Sequence, residues 1–358
     1  MAVHFHPLTV KQVQKETADC TIITFDVPEQ LTDLFRFKHG QNVTLKKNID
    51  GEEIRRAYSI CSAPFENSLC IAVKKVAAGK FSSYVNAHLQ KGDLIDVMPP
   101  TGSFTNLLSA ANKKKYLAFA AGSGITPIIS IIKTSLATEP ASSFTLIYGN
   151  RSRASIIFFE ELSGLKNKYI GRFNFINVLS RERTEARINY GRINSEKLRE
   201  LQKLVDYKNM DEIFICGPRE MIFPVKEFLE DSGVDQKKIH IELFTVPGDK
   251  QSATQEFLST NNAGTKSNIT IQLDGRSFEF DMPFYGQSIL DAALNEGADL
   301  PFACKGGICS TCRARLTSGK ITMNANYSLE EDELANGFIL TCQSHPLTEK
   351  VVIDFDSR

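Results

Sequence analysis

Four cysteines lie close together near the carboxyl end, Cys304, Cys309, Cys312 and Cys342, spaced Cys-x4-Cys-x2-Cys with 29 residues before the fourth. Thiolates at this spacing hold metal. A zinc site usually presents two short pairs, whereas three ligands crowded on one loop and a distant fourth suit two irons bridged by sulfides, a [2Fe-2S] cluster. Gly306, Gly307 and Ser310 stand between the ligands, small enough for the loop to wrap tightly and bring backbone N–H groups to the sulfides. No histidine lies within two residues of these cysteines, which disfavours mixed His/Cys ligation; His345 reads as a surface residue. Cys20, Cys61, Cys70 and Cys216 are scattered, and eight cysteines in a chain this long argue for ligation or buried thiols over a disulfide scaffold.

Other short runs could hold nucleotides. Arg56-Ala57-Tyr58-Ser59 offers a cation, an aromatic plane and a small hydroxyl at a strand end; the plainer reading is a strand with one exposed Arg and a packed Tyr. Gly79-Lys80-Phe81-Ser82 opens a helix expected over 81–90, where free N–H groups and the helix dipole attract phosphate, although Lys80 could equally be a solvated helix-start residue. Gly122-Ser123-Gly124-Ile125-Thr126-Pro127 puts a glycine turn between an apolar strand and a helix, with Pro127 suited to the first helical turn; a simple tight turn is the alternative. Cys216-Gly217-Pro218 follows a later strand, and Cys216 could be only a buried thiol. In Ser180-Arg181-Glu182-Arg183 two guanidiniums suit a ribose 2′-phosphate and hence NADPH, whereas Glu182 would suit a ribose hydroxyl and NADH; an ordinary charged loop remains open.

The elements that must position these runs come in three textures. Residues 7–104 hold six short β segments, LTVKQVQ, TIITFDV, NVTLKK, RRAYSI, LCIAVKKV and DLIDVMP, which suggest an antiparallel barrel. From Lys115 onward, apolar strands alternate with helices, ending in IHIELF, and predict a parallel sheet covered on both faces, a dinucleotide-binding architecture. Residues 247–267 are rich in Gly, Ser, Thr and Asn and read as a flexible linker. A hairpin, NITIQL-DG-SFEFDM, and the helical SILDAALNEG then lead into the cysteine loop. The expected fold is multidomain: a β-barrel over 1–106, an α/β parallel-sheet domain over 107–246, the linker, and an α+β module over 268–358.

Lys plus Arg and Asp plus Glu both number 42, so net charge gives no reason to expect nucleic acid or an anionic membrane as partner. Residues 268–358 nevertheless carry 7 basic and 13 acidic side chains, an acidic module on a basic body. Within it Glu330-Glu331-Asp332-Glu333 is either a docking patch for an electron acceptor or a solvated helix face. His88 and His240 read as packing or surface residues. No signal segment and no stretch of 18 apolar residues is present, so the expected compartment is the cytoplasm.

Resemblance sharpens these readings. PFACKGGICSTCRARLTSGK with ILTCQSHP resembles a plant-type ferredoxin domain along its whole length, which implies a β-grasp fold with a surface-near cluster. Arg56 to Ser59 resembles the RxYS flavin motif of the ferredoxin-NADP reductase superfamily. That likeness implies Arg56 on the flavin pyrophosphate, Tyr58 along the isoalloxazine and Ser59 near flavin N5, and the Gly79–Ser82 turn on the pyrophosphate of FAD, with FAD preferred to FMN. Gly122 to Pro127 is similar to the superfamily's GxGxxP turn, and Cys216-Gly217-Pro218 to the element beside the nicotinamide. The domain order resembles the reductase components of multicomponent oxygenases. Met323 to Glu330 and Leu340 to Gln343 add a likeness to reductases of the phenylacetyl-CoA epoxidase type. The function implied is transfer of electrons from NAD(P)H through FAD and the cluster to an oxygenase. Alternatives are an NADH-dependent reductase of a Rieske dioxygenase or other monooxygenase, and, in a different class, a zinc-bearing, non-catalytic interaction protein.

Overall fold

A computed structural model describes residues 4–244, 266–284 and 286–357. They fall into two compact units, one formed by 7–54 with 58–244, the other by the segment from 266 onward with 4–6 and 55–57.

The first unit begins with strands β1 (His6–Thr17), β2 (Cys20–Asp26), β3 (Asn42–Ile49), β4 (Glu52–Ser59) and β5 (Leu69–Lys74), helix α1 (Lys80–Ala87) and strand β6 (Leu94–Val97). The six strands form a sheet in the order β4-β3-β6-β1-β2-β5. Its two ends meet: Ile60, just past β4, bridges Ile71 of β5, and Cys61 N–H donates to the Cys70 carbonyl at 2.9 Å. Curling closed in this way leaves no long unpaired edge and gives the inward Val, Ile and Leu positions one shared core. Helix α1 buries Phe81 and Val85 in that core. It is shorter than the 81–90 expected, because His88 departs from helical geometry at φ −125.

The chain continues through β7 (Lys115–Ala121), α2 (Ile125–Thr138), β8 (Ser143–Asn150), α3 (Phe159–Lys168), β9 (Phe173–Leu179), α4 (Ser195–Leu201), β10 (Glu212–Gly217), α5 (Arg219–Asp231) and β11 (Ile239–Leu243). The sheet order is β11-β10-β7-β8-β9 and every pairing is parallel. Tyr116 to Ala120 and Ile213 to Cys216 are unbroken buried runs, as a sheet covered on both faces requires. Helix α2 is buried nearly all round because the barrel covers what the sheet does not. Its Ser130 hydroxyl donates to the Ser62 carbonyl at 2.6 Å, and the buried Lys133 ammonium pairs with Glu66 and Glu161, each at 2.9 Å. Burial of that cation is tolerable because two carboxylates face it.

The second unit contains β12 (Lys266–Leu273), β13 (Arg276–Pro283), α6 (Ile289–Asn295), β14 (Arg313–Ser318), β15 (Ile321–Met323), α7 (Glu331–Ala335), β16 (Phe338–Leu340), β17 (Ser344–Pro346) and β18 (Lys350–Asp354). Asp274 and Gly275, at φ 53 and 68, make the tight turn between β12 and β13. The mixed sheet runs β13-β12-β18-β14-β16, with β12 and β18 parallel, and α6 packs Ile289, Leu290 and Ala293 into its core. This is the arrangement expected of a β-grasp module. Of the expected linker, 247–265 lies outside the described residues, and Lys266 and Ser267 already belong to β12. His345 is half-buried rather than on the surface, its Nε2 2.9 Å from the Asn324 side chain.

Candidate functional site

The RAYS run occupies the end of β4, where Arg56 is exposed, Ala57 and Tyr58 are half-buried and Ser59 is buried. Tyr58 lies over Phe81 of α1, ring centroids 5.7 Å apart, so α1 fixes its plane. At the start of α1 the buried Ser82 hydroxyl accepts from Val76 N–H at 3.1 Å and donates to the Gly79 carbonyl at 3.2 Å. Ser82 therefore shapes the turn with its side chain. A Cβ at Gly79 would stand 2.6 Å from that hydroxyl, so the turn needs glycine. Lys80 is partnered in the structure, by an ion pair with Glu52 across the mouth of the barrel strands.

Opposite the barrel, Gly122, Ser123 and Gly124 form a single 3-10 turn between β7 and α2, with Pro127 in the first turn of α2. A Cβ at Gly124 would lie 2.2 Å from the Cys216 carbonyl oxygen and 2.8 Å from Gly217 N. Glycine at this place thus lets the Cys216-Gly217-Pro218 element press directly on the glycine turn. The Tyr148 hydroxyl donates to the Gly122 carbonyl at 2.8 Å and fixes the turn from β8. Thr126 caps it through a 3.1 Å bond from its hydroxyl to the Ser123 carbonyl.

The two half-sites meet on a carboxylate that no sequence motif announces. Parallel register pairs Cys216 of β10 with Glu242 of β11, and Glu242 Oε2 accepts from the Ser59 hydroxyl at 3.2 Å and lies 3.9 Å from the Cys216 thiol. Burial pushes the Glu242 carboxyl up from 4.5 to about 8, against the pull of its bonds from Ser59 and Cys216. Burial, then the neighbouring Glu242, pushes the Cys216 thiol well above its ordinary range, so Cys216 stays a thiol. A lone Glu among apolar residues in IHIELF was the available signal. A second unforeseen residue is Lys74, at the end of β5, whose ammonium lies 3.8 Å from where a Gly122 Cβ would stand and 3.7 Å from Asp19.

At the ends of β8 and β9, Ser180 donates both its N–H, at 2.9 Å, and its hydroxyl, at 3.2 Å, to the Asn150 carbonyl. The Arg181 and Arg183 side chains are exposed. Glu182 is engaged in the loop, where it accepts the Arg153 N–H at 2.8 Å.

In the second unit, three cysteines of the motif lie on the loop before β14 and the fourth in the turn after β16. Cys309, Cys312 and Cys342 are buried while Cys304 is partly open. Lys305, Gly307 and Ser310 adopt φ 53, 74 and 54, left-handed conformations that fold the loop back on itself, and Gly306 N–H points at the Cys304 sulfur at 3.3 Å. Among the described residues no three His, Cys, Asp or Glu side chains group around a single ion position. Three cysteines on one loop with the fourth from a separate stretch fit a two-iron cluster better than one tetrahedral zinc. His88 is exposed and His240 is tied to Glu212 at 2.7 Å, as expected of packing and surface residues. In the acidic run, Glu333 pairs with Arg313 and caps α7, while Glu330, Glu331 and Asp332 remain exposed. No helix of the described residues is long and apolar enough to cross a membrane.

Comparison with known proteins agrees with this geometry module by module. Residues 7–106 match the oxidoreductase FAD-binding domain, 119–227 the oxidoreductase NAD-binding domain and 271–347 the 2Fe-2S iron-sulfur cluster binding domain. The chain is therefore an oxidoreductase that joins FAD, a pyridine nucleotide and a [2Fe-2S] cluster in one polypeptide. It is 45% identical over 355 residues to one of the subunits of 1,2-phenylacetyl-CoA epoxidase from Escherichia coli (strain K12), covering 99% of this chain and 98% of that one. It is 32% identical to the ferredoxin reductase component of 3-ketosteroid-9-alpha-monooxygenase from Rhodococcus rhodochrous, over 97% and 96% of the two chains. The solved structure of phthalate dioxygenase reductase superposes with a TM-score of 0.59 at 23% identity and 98% coverage of each chain, a likeness of fold. The chain belongs to the family of flavin and iron-sulfur reductase components to which the first two relatives belong.

Proposed function

We propose that this chain takes hydride from NADPH and delivers single electrons to an oxygenase component of the phenylacetyl-CoA epoxidase type, in the cytoplasm. The observation that carries the reading is the convergence of Ser59, Cys216 and Glu242, which brings the end of the flavin strand and the end of the nucleotide strand to one carboxylate. Hydride donor and acceptor must approach to roughly 3–3.5 Å in a fixed orientation, and this is where two such planes could be stacked. Bound FAD accepts an electron pair and releases it singly, which is what lets a two-electron donor feed a one-electron [2Fe-2S] cluster.

The residues divide that work. Arg56, the Gly79–Ser82 turn and the first N–H groups of α1 would hold the FAD pyrophosphate, with Ala57 and Tyr58 along the ring and Ser59 at its reactive edge. Gly122, Gly124, Thr126 and Pro127 would shape the dinucleotide turn, with Lys74 as counter-charge; Gly217 and Pro218 would back the nicotinamide. Cys216 and a protonated Glu242 would wall the transfer site against water without adding a charge. Cys304, Cys309, Cys312 and Cys342 would ligate the cluster. Ser180, Arg181 and Arg183 would recognise the 2′-phosphate, and the two exposed guanidiniums favour NADPH over NADH. The working boundaries are 1–106, 107–246, and a last module that begins at Lys266 with β12. Eight free cysteines suit the reducing compartment. The acceptor follows the 45% identical relative over one serving a Rieske dioxygenase or another monooxygenase.

Anaerobic titration with NADPH and, separately, NADH, followed by visible absorption and by the spin resonance of the reduced cluster, tests the reading. Bleaching of flavin before the appearance of the cluster signal, at lower NADPH than NADH, is expected. A flavin that bleaches without any cluster signal, or a purified oxygenase component that accepts no electrons, would defeat it.

A further inference from the structure

The cluster ligands come from two separated stretches, and one side chain spans them. Gln343 follows the fourth cysteine, and its Nε2 donates to the Lys305 carbonyl at 2.9 Å, on the loop that carries the first three. The same nitrogen lies 3.1 Å from the Cys342 carbonyl and 3.9 Å from the Cys342 sulfur. Its two hydrogens are thus shared between carbonyls on the two ligand stretches, with the positive end of the amide dipole 3.9 Å from the Cys342 sulfur.

Three features show that this placement is built into the fold. Gln343 N–H donates to the Leu340 carbonyl and its own carbonyl accepts from Asn324 N–H, both at 2.9 Å, so the backbone is pinned on both sides. Lys305 adopts φ 53, unusual for a residue with a side chain, and its ammonium pairs with Asp291 at 2.7 Å, so the residue that presents the carbonyl is itself anchored. Gly307 leaves room for the stem: a Cβ there would stand 3.1 Å from Gln343 Cγ and 2.9 Å from the Ala325 carbonyl oxygen.

We propose that Gln343 is a positioning residue for the [2Fe-2S] cluster, a clasp whose carboxamide ties the Cys304–Cys312 loop to Cys342 and whose N–H stabilises the more negative, reduced cluster. The positive end of an N–H dipole held near a ligating sulfur favours the state with more charge on that sulfur and raises the reduction potential. The half-buried side chain also covers the seam between the two ligand stretches, through which water and chelators would reach the irons. The inference rests on the cluster being present.

The test uses the holoprotein with Gln343→Met and Gln343→Glu, which keep the length of the stem and lose the donor, and Gln343→Lys, which keeps a donor. Iron and acid-labile sulfide are measured first; their absence from the wild-type protein would sink the cluster itself, a failure separate from that of the clasp. In a potential titration followed by spin resonance, Met should shift the one-electron equilibrium about three- to tenfold toward the oxidised form, about 30–60 mV at 59 mV per tenfold. Glu should shift it further, and Lys should leave it at or above the wild-type value. Loss of iron to a chelator should quicken about three- to tenfold in Met and Glu, while FAD content and FAD reduction by NADPH stay unchanged. A Met variant that folds and binds FAD but purifies without iron also supports the clasp. Wild-type potential and chelator resistance in Met, or a Lys variant that falls as far as Met, would overturn it.

Discussion

Replacing Gly124 by alanine adds one methyl group where the structure has no space for it. That carbon would meet the Cys216 carbonyl at 2.2 Å and Gly217 N at 2.8 Å, atoms of a strand laddered to β7 on one side and β11 on the other. Backbone held on two sides cannot swing away as a flexible side chain would. Overpacking of this kind costs about 1–3 kcal/mol, and the rigidity of the neighbour puts Gly124 near the upper end. For a unit of this size each kcal/mol lowers Tm by about 2–4 °C, so a fall of about 6–12 °C is expected. If the strain is relieved by moving the Cys216-Gly217 element by about 1 Å, hydride transfer should slow on the order of 100-fold, because the reacting planes lose register. The internal control is Gly164→Ala, inside α3, where an added Cβ meets nothing within 4 Å; helix propensity there should raise stability by about 0.5–1 kcal/mol. Thermal unfolding monitored by near-ultraviolet dichroism and anaerobic stopped-flow reduction of the flavin read both effects. Two alanine variants that melt at the same temperature and reduce flavin at the wild-type rate would refute the reasoning from packing.

Glu242 holds its proton up to about pH 8, so flavin reduction should slow as pH rises through that value, when a buried charge appears beside the transfer site. Glu242→Gln should flatten the profile. The same raised carboxyl makes its share of stability full below 4.5 and lost as pH rises from 4.5 to about 8, so the Gln variant should lose less stability across that window in denaturant titrations. Cys309→Ser should abolish the spin-resonance signal of the cluster yet leave FAD reduction by NADPH intact, checked on one anaerobic sample. Arg181→Ala should raise KM for NADPH about 10-fold or more and leave KM for NADH within about twofold, since only the former offers a 2′-phosphate to a guanidinium.

What could be read from the sequence was whatever is local. The cysteine spacing, the alternation in TIITFDV and the apolar run YLAFAAG each state their structure within a few residues, and the elements formed where expected. Glu242 was not legible in the same way, because the serine that it meets lies 183 residues away and only closure of the barrel against the parallel sheet brings them together. Gly124 could be read as a turn residue, but the reason that matters, the carbonyl of Cys216 pressed against it, belongs to the tertiary fold. The loop readings depended on partners that the sequence does not name: Lys80 meets Glu52 and Glu182 meets the Arg153 backbone.

Strand β18 lies between β12 and β14, so the sheet of the iron-sulfur module is finished from its middle by residues 350–354. Without that strand the β12–β13 hairpin and the β14–β16 pair are two separate halves, each with an open edge. Cys312 and Cys342 border the β14–β16 half, so β18 is the strand that ties their surroundings to the β12–β13 hairpin. Any change that weakens the pairing of β18 should therefore loosen the cysteine loop together with both halves of the sheet.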